Sequence, residues 1–525
     1  MKIPLLKNTV TTYLGMFVRL LQGILITRWM IGLLGDANYG LWTMLWSFFV
    51  YSLLLDFGLG VAAQKATATE LWKRDQRRYN LTISTVFFFH LAMSAVIVAG
   101  TIIASCFVRE LFHLPPGQDT GYYRLCFLVF GIGSAALFPM GVFPEMLAGL
   151  QKLWLCNYIG IAANAAELAG TGVVLLCGGQ IISLVAFILV LQLAVKLAMA
   201  ICACRAIPGF RIMPKWDREV FGEIFNFSGM VYISSIARLA WERGSVLFIS
   251  IFCGLVPVSI YQVGVRLTVL MSQFTGAYQE NVAPLTALLY ARQRRRHLSR
   301  IILNSMRWNS FLATGMTFGI LLCAPQLLRL LFRYTENLDS AVAICRITAV
   351  SVWAWLVYRT IPEKYLLMAE RHRLLAMASI AEAVIFVALS IGILCVMPSV
   401  YVIMWTSIAS RLVSTFGFIL PATIRDNAIR IRPLLWQTAA LPLLALIPAA
   451  AAAILAYRCL AGRASDLTLV AVTAAVSASA YLACSYFVIF DSGERRRLAK
   501  AFHRRANARH TRANARHTID QGKSP

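Results

Sequence analysis

The sequence contains few charged residues for its length. Asp, Glu, Lys and Arg make up 14% of the 525 residues, against roughly 25% in an average soluble domain. Acidic residues are the scarcest, with 23 Asp and Glu against 49 Lys and Arg. Hydrophobic residues supply 59% of the chain, and the mean hydropathy is +0.70. This composition excludes an ordinary soluble domain and predicts an all-α polytopic membrane protein.

Common motifs of catalysis and cofactor binding are also missing. The sequence has no G-x-x-x-x-G-K-[ST] phosphate loop and no H-E-x-x-H zinc motif. The seven His are scattered singly, and Cys202-Ala-Cys204 has no second pair of ligands to complete a metal site. We therefore expect no enzymatic activity, no bound metal, no cofactor and no transport driven by ATP bound to this chain. The twelve Cys are expected to be free thiols.

Long apolar segments recur along the whole chain. A helix of about 20 residues crosses a hydrocarbon core of roughly 30 Å. Fourteen segments of this kind are predicted, so both chain ends should lie on the same side of the membrane. Their approximate limits are 11–32, 41–63, 81–107, 123–149, 153–177, 181–204, 225–251, 257–280, 301–325, 343–368, 374–396, 400–422, 434–457 and 467–490.

Basic residues are distributed unevenly among the predicted loops. The connections on the side of the N-terminus, with the tail, contain 32 Lys and Arg, whereas those on the other side contain five. Loops rich in Lys and Arg stay in the cytoplasm, so both termini are predicted to be cytoplasmic. The net charge of +26 then reports topology and does not indicate a nucleic-acid partner. No outer loop exceeds 17 residues, too few for a catalytic domain.

Charged residues reveal an internal repeat. Glu167 and Lys196 are 29 residues apart, and Glu382 and Arg411 have the same separation at an offset of 215. The repeat predicts two pseudo-symmetric six-helix lobes with the same orientation in the membrane, with a substrate cavity between them. The predicted domains are an N-lobe (1–204), a cytoplasmic loop (205–224), a C-lobe (225–422), two extra spans (434–490) and a basic cytoplasmic tail (491–525).

Charges inside the predicted spans are candidate functional residues, because a charge in hydrocarbon is costly. Three arginines lie too deep to reach the membrane surface, and of these only Arg238 has an acidic residue one helical turn away, Glu242. We predict that the deep arginines contact substrate, with simple packing as the alternative. The candidate substrate-binding residues are Arg19, Gln22, Arg28, Arg238 and Arg266.

The repeated acidic and basic positions are candidate ion pairs. Glu167–Lys196 and Glu382–Arg411 are predicted to hold two helices together in each lobe, with ion coupling as the alternative. The full set of candidate structural or coupling residues is Asp56, Glu167, Lys196, Glu242, Glu382 and Arg411.

Short motifs resemble a known family. The motif L-G-D-A-N-Y-G (34–40) follows the first span, L-D-F-G-L-G (55–60) closes the second, and A-G-L-Q-K (148–152) precedes Asn157 and Asn164. Their order and spacing resemble the polysaccharide transporter family, which contains the O-antigen and exopolysaccharide flippases of the multidrug/oligosaccharidyl-lipid/polysaccharide (MOP) superfamily. The polar groups of the first turn are expected to face the outside.

This resemblance implies a flippase that moves polyprenyl-diphosphate-linked oligosaccharides across a bacterial cytoplasmic (inner) membrane by alternating access. It also implies that spans one, two, seven and eight line a central cavity, which the arginines would make cationic. The implied partners are the lipid-linked glycan, membrane lipids, and a polysaccharide polymerase and co-polymerase. Two alternatives stay open: a cation-coupled multidrug exporter of the same fold, and a membrane scaffold for glycan synthesis that transports nothing.

Overall fold

A computed structural model gives the structure of most of the chain. It describes residues 5–69, 75–114, 119–150, 152–213, 221–222, 239, 243–291, 294–369, 371–460, 462, 465–489 and 495, and the statements below refer to these residues. Almost all of them are helical and none is in a strand. Twelve of the described helices are long and apolar enough to cross a membrane. The predicted all-α membrane fold is confirmed.

The helices follow one another with short connections. Their bounds are α1 Leu5–Val50, α2 Leu59–Thr69, α3 Gln76–Ser105, α4 Val108–Leu111, α5 Thr120–Leu137, α6 Val142–Gly149, α7 Leu153–Leu176, α8 Ile181–Ala206, α9 Arg243–Cys253, α10 Leu255–Ala291, α11 Arg295–Phe332, α12 Leu338–Tyr358, α13 Thr360–Met368, α14 His372–Leu394, α15 Val400–Ser414, α16 Leu420–Asn427, α17 Ile431–Leu435, α18 Leu441–Leu460 and α19 Asp466–Val488. Short 3₁₀ segments lie at Tyr51–Asp56 and Phe138–Gly141, and π-helical segments at Thr415–Ile419 and Trp436–Ala440.

Short polar side chains cap the N-termini of several of these helices. Asp75 accepts the backbone N–H of Arg78 at the start of α3, and Asp119 accepts that of Gly121 at the start of α5. Ser465 does the same at the start of α19. Each side chain satisfies an N–H that has no partner within the helix, which sets where the helix begins.

Helix α1 contains the first two predicted spans as two arms. Gly35 interrupts it with φ 79° and ψ 173°, a conformation that residues with a Cβ rarely adopt. The hydroxyl oxygens of Thr27 and Tyr39 are 3.3 Å apart, although a straight helix would separate their backbones by about 18 Å. The chain therefore turns back at Gly35.

When the two arms of α1 are counted separately, the described helices make thirteen crossings. The predicted seventh span, 225–251, lies mostly outside the described residues, and α9 is its final part. The observed helices therefore agree with thirteen of the fourteen predicted spans and with the end of the seventh.

The helices pack mainly within two halves of the chain. In the first half, α3 packs on α5, α5 on α8 and α7 on α8. In the second half, α10 and α11 pack on α12, and α14 packs on α15. Helix α1 contacts both halves, since it packs on α7, α10 and α11. The final helices α18 and α19 pack on each other and on α11, where the Tyr481 ring stacks on Phe311 with centroids 5.1 Å apart.

Helix ends define two sides of the bundle. We call the side of the Gly35 turn the Asp36 side, and the side where the second arm ends the Asp56 side. The larger buried core contains residues of both halves, among them Phe112, Leu255 and Tyr334 near the Asp36 side. A smaller core lies toward the Asp56 side, and all its fully buried members precede residue 208. The halves therefore share buried packing toward the Asp36 side.

Candidate functional site

The guanidinium of Arg266 bridges the two halves. Its Nη2 donates to the carbonyl oxygen of Gly23, on the first arm of α1, at 3.0 Å. The guanidinium approaches Gly23 so closely that a Cβ at this position would collide with it. Glycine is therefore required for this contact. The ion pairs among the described residues do not include Arg266.

Arg19 lies one helical turn from this contact. Residues four apart share a face of a helix, so Arg19 and Gly23 lie on the same face of α1. The Arg19 side chain is exposed, and its Nε donates to the carbonyl oxygen of Gly15 at 3.3 Å within the same helix. The structure thus brings Arg19 and Arg266 to neighbouring levels at the interface between the halves.

The other candidate binding residues on α1 have different surroundings. Gln22 is buried and hydrogen bonds to Glu167 of α7 within the first half. Arg28 donates to the carbonyl oxygen of Leu330 at 3.2 Å, near the end of α11. In this conformation Gln22 therefore positions a carboxyl group, and Arg28 joins the two halves.

Arg238 and Glu242 lie outside the described residues. The placement of the third deep arginine and of its acidic neighbour stays a prediction.

The predicted Glu167–Lys196 pair does not form, although both side chains are described. Glu167 hydrogen bonds to Gln22, whereas Lys196 interacts electrostatically with Glu145 of α6. The reason is geometric, because α8 packs on α6 as well as on α7. The prediction was wrong about the partner of each residue.

The predicted Glu382–Arg411 pair is also wrong. Glu382 forms a buried ion pair with Arg359, and Arg359 Nε donates to Glu363 at 3.1 Å. Arg411 instead places its guanidinium over the Trp355 ring, 5.1 Å from the centroid. Sequence reasoning missed Arg359, although its spacing of four residues from Glu363 on a helix was a usable signal.

Four titratable side chains meet near the Asp56 side of the first half. Asp56 accepts the backbone N–H of Gly60 at 3.1 Å, and its Oδ1 is 2.7 Å from Nε2 of His90 on α3. Glu145 lies within electrostatic reach of both Asp56 and Lys196. We call Asp56, His90, Glu145 and Lys196 the Asp56 cluster. Of these, sequence reasoning missed the roles of His90 and Glu145; a lone His in mid-span was the available signal.

On the opposite side, Asp36 joins the two halves. It is 7% exposed and accepts hydrogen bonds from Ser259 Oγ at 2.9 Å, Tyr334 OH at 3.0 Å and Asn337 Nδ2 at 3.4 Å. These donors offset the cost of burying a carboxylate. Asp36 thus faces the second half of the chain. The expectation that the polar groups of this turn face the outside was wrong for Asp36. We call Asp36, Ser259, Tyr334 and Asn337 the Asp36 junction.

Other hydrogen bonds between the halves lie toward the same side. Ser250 Oγ of α9 donates to the carbonyl oxygen of Leu111 at 2.8 Å. The backbones of Gly40 and Leu255 approach so closely that no Cβ would fit at position 40. Among described residues, each hydrogen bond between the halves involves, on the side of the first half, either Leu111 or a residue between positions 23 and 36. In this conformation the halves are closed toward the Asp36 side.

Solved structures share this fold. The lipid II flippase MurJ in an inward closed conformation superposes with a TM-score of 0.68 at 14% identity, covering 91% of this chain and 98% of that chain. An inward-facing multidrug resistance MATE family transporter of the MOP superfamily gives 0.66 at 15% identity, covering 79% and 95%. An outward-facing structure of a MATE family transporter gives 0.55 at 15% identity, covering 81% and 96%.

The sequence comparisons give the family. No curated protein has a significant match to the chain. A family model described as polysaccharide biosynthesis protein matches residues 30–335, more than half of the chain. The resemblance carried by the short motifs is therefore confirmed. The chain belongs to this family of polysaccharide biosynthesis proteins and has the fold of MOP superfamily transporters.

Proposed function

We propose that the protein is a flippase that moves polyprenyl-diphosphate-linked oligosaccharide units across the bacterial cytoplasmic membrane for the synthesis of a cell-surface polysaccharide. The family supports a role in polysaccharide biosynthesis, and the fold supports transport. The observation that carries the proposal is the placement of Arg19 and Arg266 at neighbouring levels between the two halves. O-antigen and exopolysaccharide units are both substrates of this kind.

The two arginines suit a diphosphate group. A guanidinium offers paired donors that match phosphate oxygens, and hydrogen bonds between charged groups are roughly twice as strong as neutral ones. In this conformation Arg266 donates to the backbone carbonyl of Gly23 and Arg19 to that of Gly15. A diphosphate is a stronger acceptor than either carbonyl group. Substrate binding can therefore replace these bonds with stronger ones.

Alternating access follows from where the halves are joined. The Asp36 junction and its neighbouring hydrogen bonds close one side, while the smaller core toward the Asp56 side belongs to the first half alone. Opening toward the Asp36 side requires the junction to break. The excess of Lys and Arg in the loops supports a cytoplasmic location for the Asp56 side and both termini. The conformation described here would then receive substrate from the cytoplasm, where lipid-linked units are assembled.

The proposed partners follow from the same function. The diphosphate-linked glycan lies between the halves while its polyprenyl tail stays among membrane lipids. The translocated unit is then passed to a polysaccharide polymerase and its co-polymerase.

The decisive experiment is translocation in proteoliposomes. The purified protein is reconstituted with a fluorescent polyprenyl-diphosphate-linked disaccharide, and a membrane-impermeant glycosidase reports how much glycan reaches the outer leaflet. We expect protein-dependent exchange between leaflets, while liposomes without protein protect the inner pool. An inner pool that stays protected when correctly folded protein is present would contradict the flippase proposal and favour a scaffold.

Similarity to MATE transporters gives a second candidate, a multidrug exporter of the same fold. A cation-coupled exporter of organic cations needs acidic residues near the membrane midplane where α1 meets α10, whereas the described charged residues at that level, Arg19 and Arg266, are basic. The discriminating measurement is growth of exporter-deficient cells in ethidium. Resistance conferred by the protein, without exchange of the lipid-linked disaccharide, would favour the exporter.

A further inference from the structure

The Asp56 cluster draws its side chains from four separate elements of the first half. Asp56 ends the 3₁₀ segment after α1, His90 lies in the middle of α3, Glu145 lies on α6 and Lys196 on α8. The cluster lies apart from the contact between Arg266 and Gly23, and the substrate contacts proposed above make no use of it.

His90 is the buried member of the cluster. It is 2% exposed, and its Nε2 lies 2.7 Å from Asp56 Oδ1. Its Nδ1 is buried and has no hydrogen-bond partner, while the ring packs edge-on to Phe138 with centroids 5.1 Å apart. When Nε2–H donates to Asp56 in the neutral ring, Nδ1 carries a free lone pair. The cluster therefore contains a buried base that can accept a proton.

The charges of the cluster do not balance when His90 is neutral. With both carboxyl groups ionised, Asp56 and Glu145 contribute two negative charges, and the protonated amine of Lys196 contributes one positive charge. Among the described residues, the thiol of Cys156 lies beside Glu145 and Lys196, and the thiol of Cys202 lies beside Cys156. Thiols add no charge in their protonated form, and α2 contributes the backbone N–H of Gly60. One proton brings the cluster to neutrality, which a membrane interior favours.

We propose that the Asp56 cluster is a proton-binding site coupled to transport, in which Nδ1 of His90 takes up one proton while Nε2–H remains donated to Asp56. This rests on the proposed flippase function for the coupling, though not for the binding of the proton. Because the four groups interact, the proton belongs to the cluster as a unit. Proton uptake converts the bond between His90 and Asp56 into an ion pair, and proton release weakens it.

The second arm of α1 connects this site to the Asp36 junction. The arm runs from Gly35 to Val50 and continues as a 3₁₀ segment to Asp56, roughly 30 Å of helix. Beyond it the backbone breaks at Phe57 and Gly58, both with positive φ. A change in the bond that holds Asp56 therefore acts on one end of an arm whose other end is held by Asp36. Proton release at the cluster and opening of the junction are linked through this arm.

Two measurements test the proposal, with His90→Gln as the main variant. Gln can donate from its amide nitrogen to Asp56 but cannot take up a proton. The matched control is His372→Gln, because His372 is exposed at the start of α14. Each variant is first checked for wild-type elution and melting temperature. Asp56→Asn serves in place of His90→Gln if the latter does not fold.

The first measurement is NMR of the protein carrying ¹⁵N-labelled histidine, with the His90 signals assigned by their loss in His90→Gln. We expect the Nδ1 signal to change from that of an unprotonated to that of a protonated nitrogen between pH 9 and pH 5. A His90 whose protonation state is constant over this range would overturn the proton site. This result does not depend on transport.

The second measurement is the distribution of the fluorescent lipid-linked disaccharide across proteoliposomes under a pH gradient. For exchange of one proton, the ratio between leaflets should shift by about tenfold per pH unit in the wild type and in His372→Gln. In His90→Gln exchange should continue, with a ratio that no longer responds to the gradient. A His90→Gln variant that keeps the wild-type response would overturn the coupling. If the wild type exchanges no glycan at all, the proposed function fails, and the NMR result alone decides whether the proton site exists.

Discussion

At the scale of single residues, the two arginines between the halves have bonds that a substrate can replace. Arg266 gives its Nη2–H to the carbonyl oxygen of Gly23, and Arg19 has a long bond within its own helix. Both acceptors are neutral carbonyl groups, and a diphosphate oxygen carries charge. A guanidinium gains more from the charged acceptor, because its hydrogen bonds shorten and strengthen.

We predict that Arg266→Gln lowers export of surface polysaccharide in a flippase-deficient cell. Gln keeps a donor but removes the charge, which costs about 1.5–3 kcal/mol if a charge-assisted bond to substrate is lost. This corresponds to a loss of affinity of about ten- to a hundredfold. Arg266→Lys should restore part of the activity, because it restores charge without the planar fork. Surface glycan and membrane abundance are measured together.

Arg373→Gln is the control for this experiment, since Arg373 is exposed near the start of α14. It should export glycan at the wild-type rate. Equal export by Arg266→Gln and Arg373→Gln, at equal abundance, would exclude Arg266 from substrate binding.

A second prediction concerns the buried ion pair between Arg359 and Glu382. Arg359→Gln leaves Glu382 buried without its partner, which should destabilise the protein by about 3–5 kcal/mol. The double variant Arg359→Gln/Glu382→Gln should recover much of this loss, because no charge is then left alone. The measurement is thermal unfolding in detergent. If the double variant loses as much stability as the two single variants together, Arg359 and Glu382 do not act as a pair.

At the scale of helices, the sequence predicted which segments cross the membrane but not which side chains form ion pairs. The bilayer fixes the length of an apolar helix, so segment length alone predicted most of the crossings. The partner of a side chain depends on how each helix is rotated and on which neighbour it meets, and spacing along the chain does not set this. Lys196 therefore meets Glu145 and not Glu167, and the buried Arg359 at the break between α12 and α13 pairs with Glu382.

The connection between Asp36 and the second half gives a prediction at this scale. Tyr334→Phe removes one donor to the buried carboxylate of Asp36, at a cost of about 1.5–3 kcal/mol for a hydrogen bond to a charged group. The halves should then separate more often on the Asp36 side. Hydrogen exchange followed by mass spectrometry should show faster amide exchange at 330–342 and near Gly35.

Ser399→Ala is the control for hydrogen exchange. Ser399 caps the start of α15, so its loss tests a local effect on stability. Faster exchange should then be confined to α15. Unchanged exchange at 330–342 in Tyr334→Phe would show that the junction does not hold the two halves together.

At the scale of the whole molecule, the two sides of the bundle have different structures and different loop charges. Buried packing and hydrogen bonds join the halves toward the Asp36 side. The predicted loops on the Asp56 side, with the tail, contain 32 Lys and Arg against five on the other side, so the Asp56 side is predicted to be cytoplasmic. For the flippase proposed above, this orientation decides which membrane side the Asp36 junction closes.

The last prediction tests this orientation with reporter fusions at two turns. Gly178 lies between α7 and α8 and lines a cavity with Leu33 and Asn38 on the Asp36 side. Gly209 follows α8, and its carbonyl oxygen accepts a hydrogen bond from Asn80 near the start of α3, on the Asp56 side. Alkaline phosphatase is active only outside the cytoplasmic membrane, and green fluorescent protein, when exported unfolded, fluoresces only inside it. The excess of Lys and Arg predicts phosphatase activity after Gly178 and fluorescence after Gly209. The opposite pattern would reverse the bundle in the membrane and place the Asp36 junction on the cytoplasmic side.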